Sequence, residues 1–215
     1  MQKKVICLIS GGIDSPVAVK MMAKKYKVIL LHFCLYPFYC AGSFKTFVEG
    51  VKRFDFETKI VLFPWNEVLS EIAKNDKKYQ CVLCRKSMFK AAEIVAKKER
   101  AFAICTGEAL AQKASQTARN LYATSYGIKL PILRPLIGLD KQEIIDISES
   151  LKLTPENHVG CCTMVPKSPA TMADAKEMEK LFKKLKLMDK INKNYKKRKE
   201  IKVEKLDFSV LKELQ

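Results

Sequence analysis

Short continuous apolar runs and longer amphipathic stretches alternate along most of the chain. KVICLIS, Lys4 to Ser10, reads as a strand buried on both faces. PVAVKMMAKK follows as a helix with Pro16 in its first turn, where a missing N–H costs nothing. Lys27–Phe33 is a second buried strand. SFKTFVEGVKRF then carries Phe44, Phe47, Val48 and Val51 at helical spacing. Thr58–Phe63 is a third strand, and Asn66 opens the next helix. A helix rich in Ala and Lys leads to AFAICTGE, a fourth strand, and LPILRPL predicts a fifth. Asp140 and Glu143 form a capping box for KQEIIDISESL. Strands that alternate with helices in this way predict an α/β fold built on a doubly wound parallel sheet.

The pattern changes near Thr171, which divides the chain into residues 1–170 and a helical extension, 171–215, expected to pack on the same domain. Met178, Leu181, Phe182, Leu185, Met188 and Ile191 recur at helical spacing, so one face should be buried. Between Lys176 and Lys205 there are 13 Lys and Arg against 5 Asp and Glu. Lys183, Lys184, Lys190, Lys193, Lys197 and Arg198 would then form an outward basic ridge. A solvated face is the plain alternative.

The whole chain is basic as well: 40 Lys and Arg against 23 Asp and Glu give +17 over 215 residues. That excess suggests a polyanionic partner, nucleic acid first. The apolar run after Lys4 ends at Ile9, too short for a signal sequence, and no stretch is long enough to span a bilayer. A cytoplasmic location is expected, where eight cysteines would serve as thiols, metal ligands or catalysts.

The most informative stretch is LISGGIDSPVA, Leu8 to Ala18. In an open α/β sheet, ligands sit at the carboxyl ends of strands, where strand order reverses. Consecutive glycines there bring backbone N–H groups close to a ligand, and the helix start just beyond favours phosphate. Ser10 and Ser15 add hydroxyl donors. Asp14 either caps the helix or, beside phosphates, holds a Mg²⁺ ion that screens their charge. The spacing of a Walker loop is absent.

The Ser-Gly-Gly-x-Asp-Ser motif resembles the PP-loop of the ATP pyrophosphatases, whose adenine nucleotide alpha hydrolase-like fold is Rossmann-like. TGEALAQKASQT (Thr106–Thr117), RPLIGLDKQEII (Arg134–Ile145), CCTMVPKSPAT (Cys161–Thr171) and the closing KLDFSVLKEL narrow the likeness. Together they resemble the catalytic domain of the tRNA 4-thiouridine synthetase (ThiI) family. The resemblance implies that Ser10, Gly11, Gly12, Asp14 and Ser15 bind the pyrophosphate part of ATP and its metal. Leu31, His32 and Phe33 would lie near adenine, and Gly107 and Gln112 would help form the nucleotide pocket. The family's usual Gly-Gln reads Ala111-Gln112 here. Taken alone, Ser115, Gln116 and Thr117 look like plain capping residues, and Glu108 is either polar lining or part of a solvated turn.

Cys81 and Cys84, three apart in QCVLCRKSM, could face one metal, and the adjacent Arg85 and Lys86 favour thiolates. That spacing also fits zinc or a redox dithiol. The resemblance to iron–sulfur tRNA thiolases adds Cys162, giving three ligands to a [4Fe-4S] cluster with one iron open for hydrosulfide. Cys162 rather than Cys161 aligns with the family's catalytic cysteine. A persulfide on Cys162 alone is the competing chemistry. Cys7, Cys34 and Cys105 lie in strands as small hydrophobes, and Cys40 is unassigned. His32 reads as a hydrogen-bonded core residue, whereas His158, beside the Gly-Cys-Cys, has a better functional chance.

The resemblance implies an enzyme that adenylates the C4 oxygen of uridine, at position 8 of tRNA, and replaces AMP by sulfur from sulfide or a cysteine desulfurase. The family's THUMP region and the rhodanese domain of some members are not recognised in this sequence. Part of tRNA binding is therefore expected from Lys193, Lys197 and Arg198, or from a separate THUMP-containing protein. A homodimer is compatible with the sequence. Thiamine-related sulfur transfer, small-molecule adenylation and a non-enzymatic iron–sulfur or RNA-binding module are the alternatives.

Overall fold

A computed structural model describes residues 2–39, 42–156, 160, 162–207 and 209–211. Cys40, His158 and Cys161 lie outside the described residues. In chain order the elements begin β1 (Lys4–Leu8), α1 (Asp14–Ala23), β2 (Lys27–Cys34), α2 (Ser43–Lys52), β3 (Lys59–Pro64), α3 (Asn66–Asn75) and α4 (Gln80–Glu99). They continue β4 (Ala103–Cys105), α5 (Ala118–Ser125), β5 (Ile132–Leu133), α6 (Lys141–Ser150), α7 (Ala175–Lys184), α8 (Leu187–Lys196) and β6 (Lys199–Lys202).

The sheet runs in the order β5-β4-β1-β2-β3-β6. β1 to β5 are parallel, as the uninterrupted apolar runs require, and β6 joins the β3 edge antiparallel. Alternate residues feed two cores. Ile6, Leu8, Ile29, Leu31, Val61 and Phe63 pack with Phe89 and Val95 of α4 and with Met178, Phe182 and Ile191 from α7 and α8. Val5, Cys7, Val28, Leu30, Ile60 and Leu62 pack on the other face with Val17 of α1, Phe47 and Val51 of α2, and Ile144 of α6. The chain leaves β1 in opposite directions, towards β2 and later β4, so the switch point lies beside the end of β1.

Two expectations change. Residues 171–215 are not purely helical. Lys186, left-handed at φ 47°, breaks the segment into α7 and α8, and β6 then enters the sheet. The break shifts the apolar phase, so Leu187 is buried and Met188 is 36% exposed. β6 is pinned through Glu200, which takes Lys59, Lys98 and Arg198 as partners. Burial opposes its charge, but hydrogen bonds from Lys98 and Lys59 outweigh that and hold the carboxyl near 2. LPILRPL, in turn, contributes only the two residues of β5, because flanking Pro131 and Pro135 offer no N–H to a ladder. Among the described residues, no helix is long and apolar enough to cross a membrane.

Candidate active site

At the end of β1 the Ile9 N–H donates to the Leu31 carbonyl at 3.0 Å, and the chain then turns through residues 10–13 into α1. Two serines tie this loop. The Ser10 N–H donates to Ser15 Oγ at 2.9 Å, the two hydroxyls are 3.1 Å apart, and the Gly12 N–H donates to Ser10 Oγ at 3.3 Å. Neither Gly11 nor Gly107 has a positive φ, so each is needed for close approach. A Cβ on Gly11 would lie 2.8 Å from the Ser43 carbonyl oxygen of α2. One on Gly107, just past β4, would lie 2.7 Å from the backbone of Asp14 and Ser15. Gly12 meets no such crowding. The loop is thus clamped between two backbones, with its inner surface open to a cleft.

That cleft is lined by Ser10, Gly11, Gly12, Asp14 and Ser15 from the loop, by His32 and Phe33 from β2, and by Gly107. All eight were expected there. Leu31 and Gln112 were expected too, but neither lines it. Leu31 is fully buried and its carbonyl is taken by Ile9. Gln112 turns its amide nitrogen into a buried spot with no partner among the described residues, and the neighbouring Lys113 and Gln116 face the cleft instead. The polar end thus carries hydroxyls, an acid and cations. Apolar lining comes from Leu8, Phe33, Leu35 and Met88.

Charge at and behind the cleft falls into two groups, Asp14 with Lys141 and Glu108 with two arginines. Asp14 is the first residue of α1 and makes no capping bond; its carboxylate instead meets Lys141, the first residue of α6. Glu108, expected as polar lining or part of a solvated turn, is buried, 1% exposed, behind the residues that line the cleft. It accepts from Arg134 Nε at 2.8 Å and lies 3.4 Å from Arg85 Nε. Arg134 is itself fixed by donation to Ser125 Oγ at 2.7 Å. Arg85, one turn into α4, is thereby held at the cleft wall. The sequence suggested Arg85 only as a neighbour of thiols, and its place in the cleft depends on contacts across three elements.

His32 is buried, with Nδ1 3.0 Å from the Ile9 carbonyl and Nε2 2.6 Å from the Tyr39 hydroxyl. Its ring stacks on Phe47 at 3.6 Å, and burial pushes its pKa down to about 4, against the pull of the Ile9 carbonyl. It is neutral at physiological pH.

Cys81 and Cys84 lie half-buried in the first turn of α4, where the Trp65 indole N–H donates to Cys84 Sγ at 3.3 Å. Cys162 is half-buried against the same core. The residues around it are tied in place, Gln80 Nε2 donating to the Met164 carbonyl at 2.6 Å and the Thr163 N–H to the Phe38 carbonyl at 2.9 Å. Gly160, two residues before Cys162, lines the cleft. The three cysteines therefore sit on adjoining segments at one side of it. Among the described residues, however, no three Cys, His, Asp or Glu side chains are grouped to hold a metal. Cys7, Cys34 and Cys105 are buried, and burial pushes the Cys34 thiol up to about 12.

The expected basic ridge is largely paired. Lys193 and Lys197 both reach Glu67 of α3, at 3.0 and 3.3 Å, and Lys190 reaches Glu71 at 2.9 Å. Arg198 lies 3.8 Å over the Tyr195 ring and pairs with Glu200 at 3.1 Å.

A parallel sheet with a Ser-Gly-Gly-x-Asp-Ser loop at its switch point has the PP-loop ATP pyrophosphatase fold. The chain belongs to the family described as thiamine biosynthesis protein (ThiI), whose model matches residues 1–187. It is 39% identical over 196 residues to a probable tRNA sulfurtransferase of Methanocaldococcus jannaschii, covering 87% of this chain and 51% of that protein. A probable tRNA sulfurtransferase of Thermus thermophilus is 39% identical over 181 residues, covering 79% and 44%. The chain spans about half the length of the curated relatives it matches. Among solved structures, a 4-thiouridine synthetase in complex with RNA and bound ATP superposes with a TM-score of 0.84. The two are 29% identical, over 93% of this chain and 55% of that one.

Proposed function

We propose that the cleft binds ATP and that this chain carries the catalytic unit of a tRNA sulfurtransferase that makes 4-thiouridine. The loop clamped between Gly11 and Gly107, with Arg85 and Lys113 beside it, is the observation that carries this reading. The likeness to an ATP- and RNA-bound 4-thiouridine synthetase supports it.

In this reading the loop N–H groups and the Ser10 and Ser15 hydroxyls hold the β- and γ-phosphates. Leu35, Phe33 and Met88 offer adenine an apolar wall, and Gln116 supplies the amide once assigned to Gln112. Mg²⁺ is carried by one or two carboxylates together with phosphates. Asp14 fits that pattern as the acid that lines the cleft among the described residues, and the ion would screen the phosphate charge. The uridine O4 attacks the α-phosphorus, the bond to the β-phosphate breaks, and pyrophosphate leaves. Arg85 and Lys113 are placed to neutralise charge that builds on those phosphates. A sulfur nucleophile then attacks C4, and AMP departs with the former O4.

Cys162, on the cleft's cysteine side, is the residue we assign to sulfur delivery. A cysteine desulfurase passes persulfide sulfur to its thiol, the persulfide attacks C4, and a second thiol cleaves the resulting disulfide to free 4-thiouridine. Sulfide, already reduced, would attack C4 directly. Cys81 and Cys84 remain the partners for a cluster, but three ligands are not assembled among the described residues. The family description also fits a role in thiamine-related sulfur transfer, by the same adenylation. Mass analysis of tRNA nucleosides tests the main reading. Cells without the gene should lose 4-thiouridine at position 8 and regain it on complementation. An unchanged 4-thiouridine content would contradict it and favour the thiamine role.

Glu108 should act here as a positioning residue for Arg85. Glu108→Gln keeps the shape but removes the charge between two arginines, and breaking a buried pair costs about 3 kcal/mol of stability. ATP affinity should fall about tenfold, the equivalent of ~1.4 kcal/mol. Adding Arg85→Gln to that variant should weaken ATP binding little further, because the two act through one contact. Additive losses in titration calorimetry would show that Glu108 serves stability alone.

A further inference from the structure

A second groove lies behind the cysteine-bearing segment, between the turn that joins α3 to α4 and residues 163–168. Lys77 and Lys78 stand on one wall and Lys167 on the other, with Val165 and Pro166 between them. Among the described residues, no carboxylate lines it. Both walls are fixed to each other: Gln80, 3% exposed, donates to the Met164 carbonyl, and the Ala170 N–H donates to the Lys78 carbonyl at 2.9 Å.

We propose that this groove holds backbone phosphates of the substrate RNA, an inference that rests on the RNA reading above. Two observations favour it over the α8 ridge. Among the described residues, Lys77, Lys78 and Lys167 make no ion pair, the Lys78 ammonium lying only over the Tyr79 ring at 5.1 Å, whereas Lys190, Lys193 and Lys197 are occupied by Glu67 and Glu71. A paired lysine must give up its carboxylate to bind phosphate, so it adds little to counterion release; an unpaired one contributes in full. The groove also shares its wall with the Cys162 segment, whose other end, Gly160, lines the ATP cleft. RNA seated there runs along the segment that we assign to sulfur delivery. Val165, 55% exposed, adds an apolar surface for a ribose or base edge.

The test is the salt dependence of tRNA binding for the chain and two triple variants. Each phosphate contact contributes about 0.7 to 0.9 to the slope of log affinity against log salt. Lys77→Gln, Lys78→Gln and Lys167→Gln together should lower the slope by about two and weaken binding at least tenfold in 0.1 M salt. Lys193→Gln, Lys197→Gln and Arg198→Gln together should change it by less than about one. ATP affinity should be unchanged in the groove variant, which shows that it is folded. A wild-type slope in the groove variant overturns the inference, whether RNA is held elsewhere or the groove serves an acidic protein. A wild-type chain with no salt-dependent tRNA binding would instead count against the RNA reading itself.

Discussion

Asp14→Asn should reduce tRNA-dependent AMP release by about a thousandfold, the upper range for removing one electrostatic group at a reacting phosphate. The fold should survive. The N-cap of α1 is Ile13 rather than Asp14, so the substitution removes no N-cap residue. Its partner Lys141 is 47% exposed, and ion pairs at such sites contribute at most about 1 kcal/mol. Domains of this kind have roughly 5 to 15 kcal/mol in hand. Thermal unfolding within about 4 °C of wild type, together with lost turnover, would separate Asp14 from Glu108, whose replacement should cost stability and affinity at once. Near wild-type AMP release from the variant would remove Asp14 from the reaction.

The second large effect should divide the reaction in two. Cys162→Ala should leave tRNA-dependent pyrophosphate release within about threefold of wild type and abolish 4-thiouridine, a loss of at least about a thousandfold. We assign adenylation to the loop, whereas Cys162 lies two residues beyond Gly160, which lines the cleft. Cys7→Ala and Cys105→Ala, both deep in the sheet, should retain thiolation. The fate of sulfur and iron in anaerobically purified protein then identifies the carrier. A persulfide on Cys162 without iron marks direct transfer. Iron and labile sulfide lost from Cys81→Ala, Cys84→Ala and Cys162→Ala alike mark a cluster. Thiolation by Cys162→Ala at the wild-type rate would contradict the assignment of sulfur delivery to this residue.

Most of the sheet was readable in one dimension because parallel strands are apolar on both faces and need no partner information to stand out. Val5–Ile9, Val28–Phe33 and Ile60–Phe63 are such runs. The phosphate loop was readable for a related reason: its backbone demands sit in six consecutive residues. Pairings set by distant elements were not. Nothing in GLDKQE says that Lys141 meets Asp14, and nothing in CRKSMFK says that α4 turns Arg85 towards Glu108. Helical periodicity also cannot register one left-handed residue, so Lys186 displaced the buried face from Met188 to Leu187. Net charge misled in a similar way. Lysines in α8 looked free in sequence, and only their approach to Glu67 and Glu71 of α3 shows them occupied.

The products of ATP turnover test the central claim most directly. The chain is incubated with ATP labelled in its α- and β-phosphates, Mg²⁺ and sulfide as the sulfur donor, with and without unmodified tRNA, and the products are separated. A PP-loop cleft that adenylates uridine predicts AMP and pyrophosphate in equal amounts, formed only when tRNA is present. ADP and inorganic phosphate, or AMP formed equally well without tRNA, would contradict it.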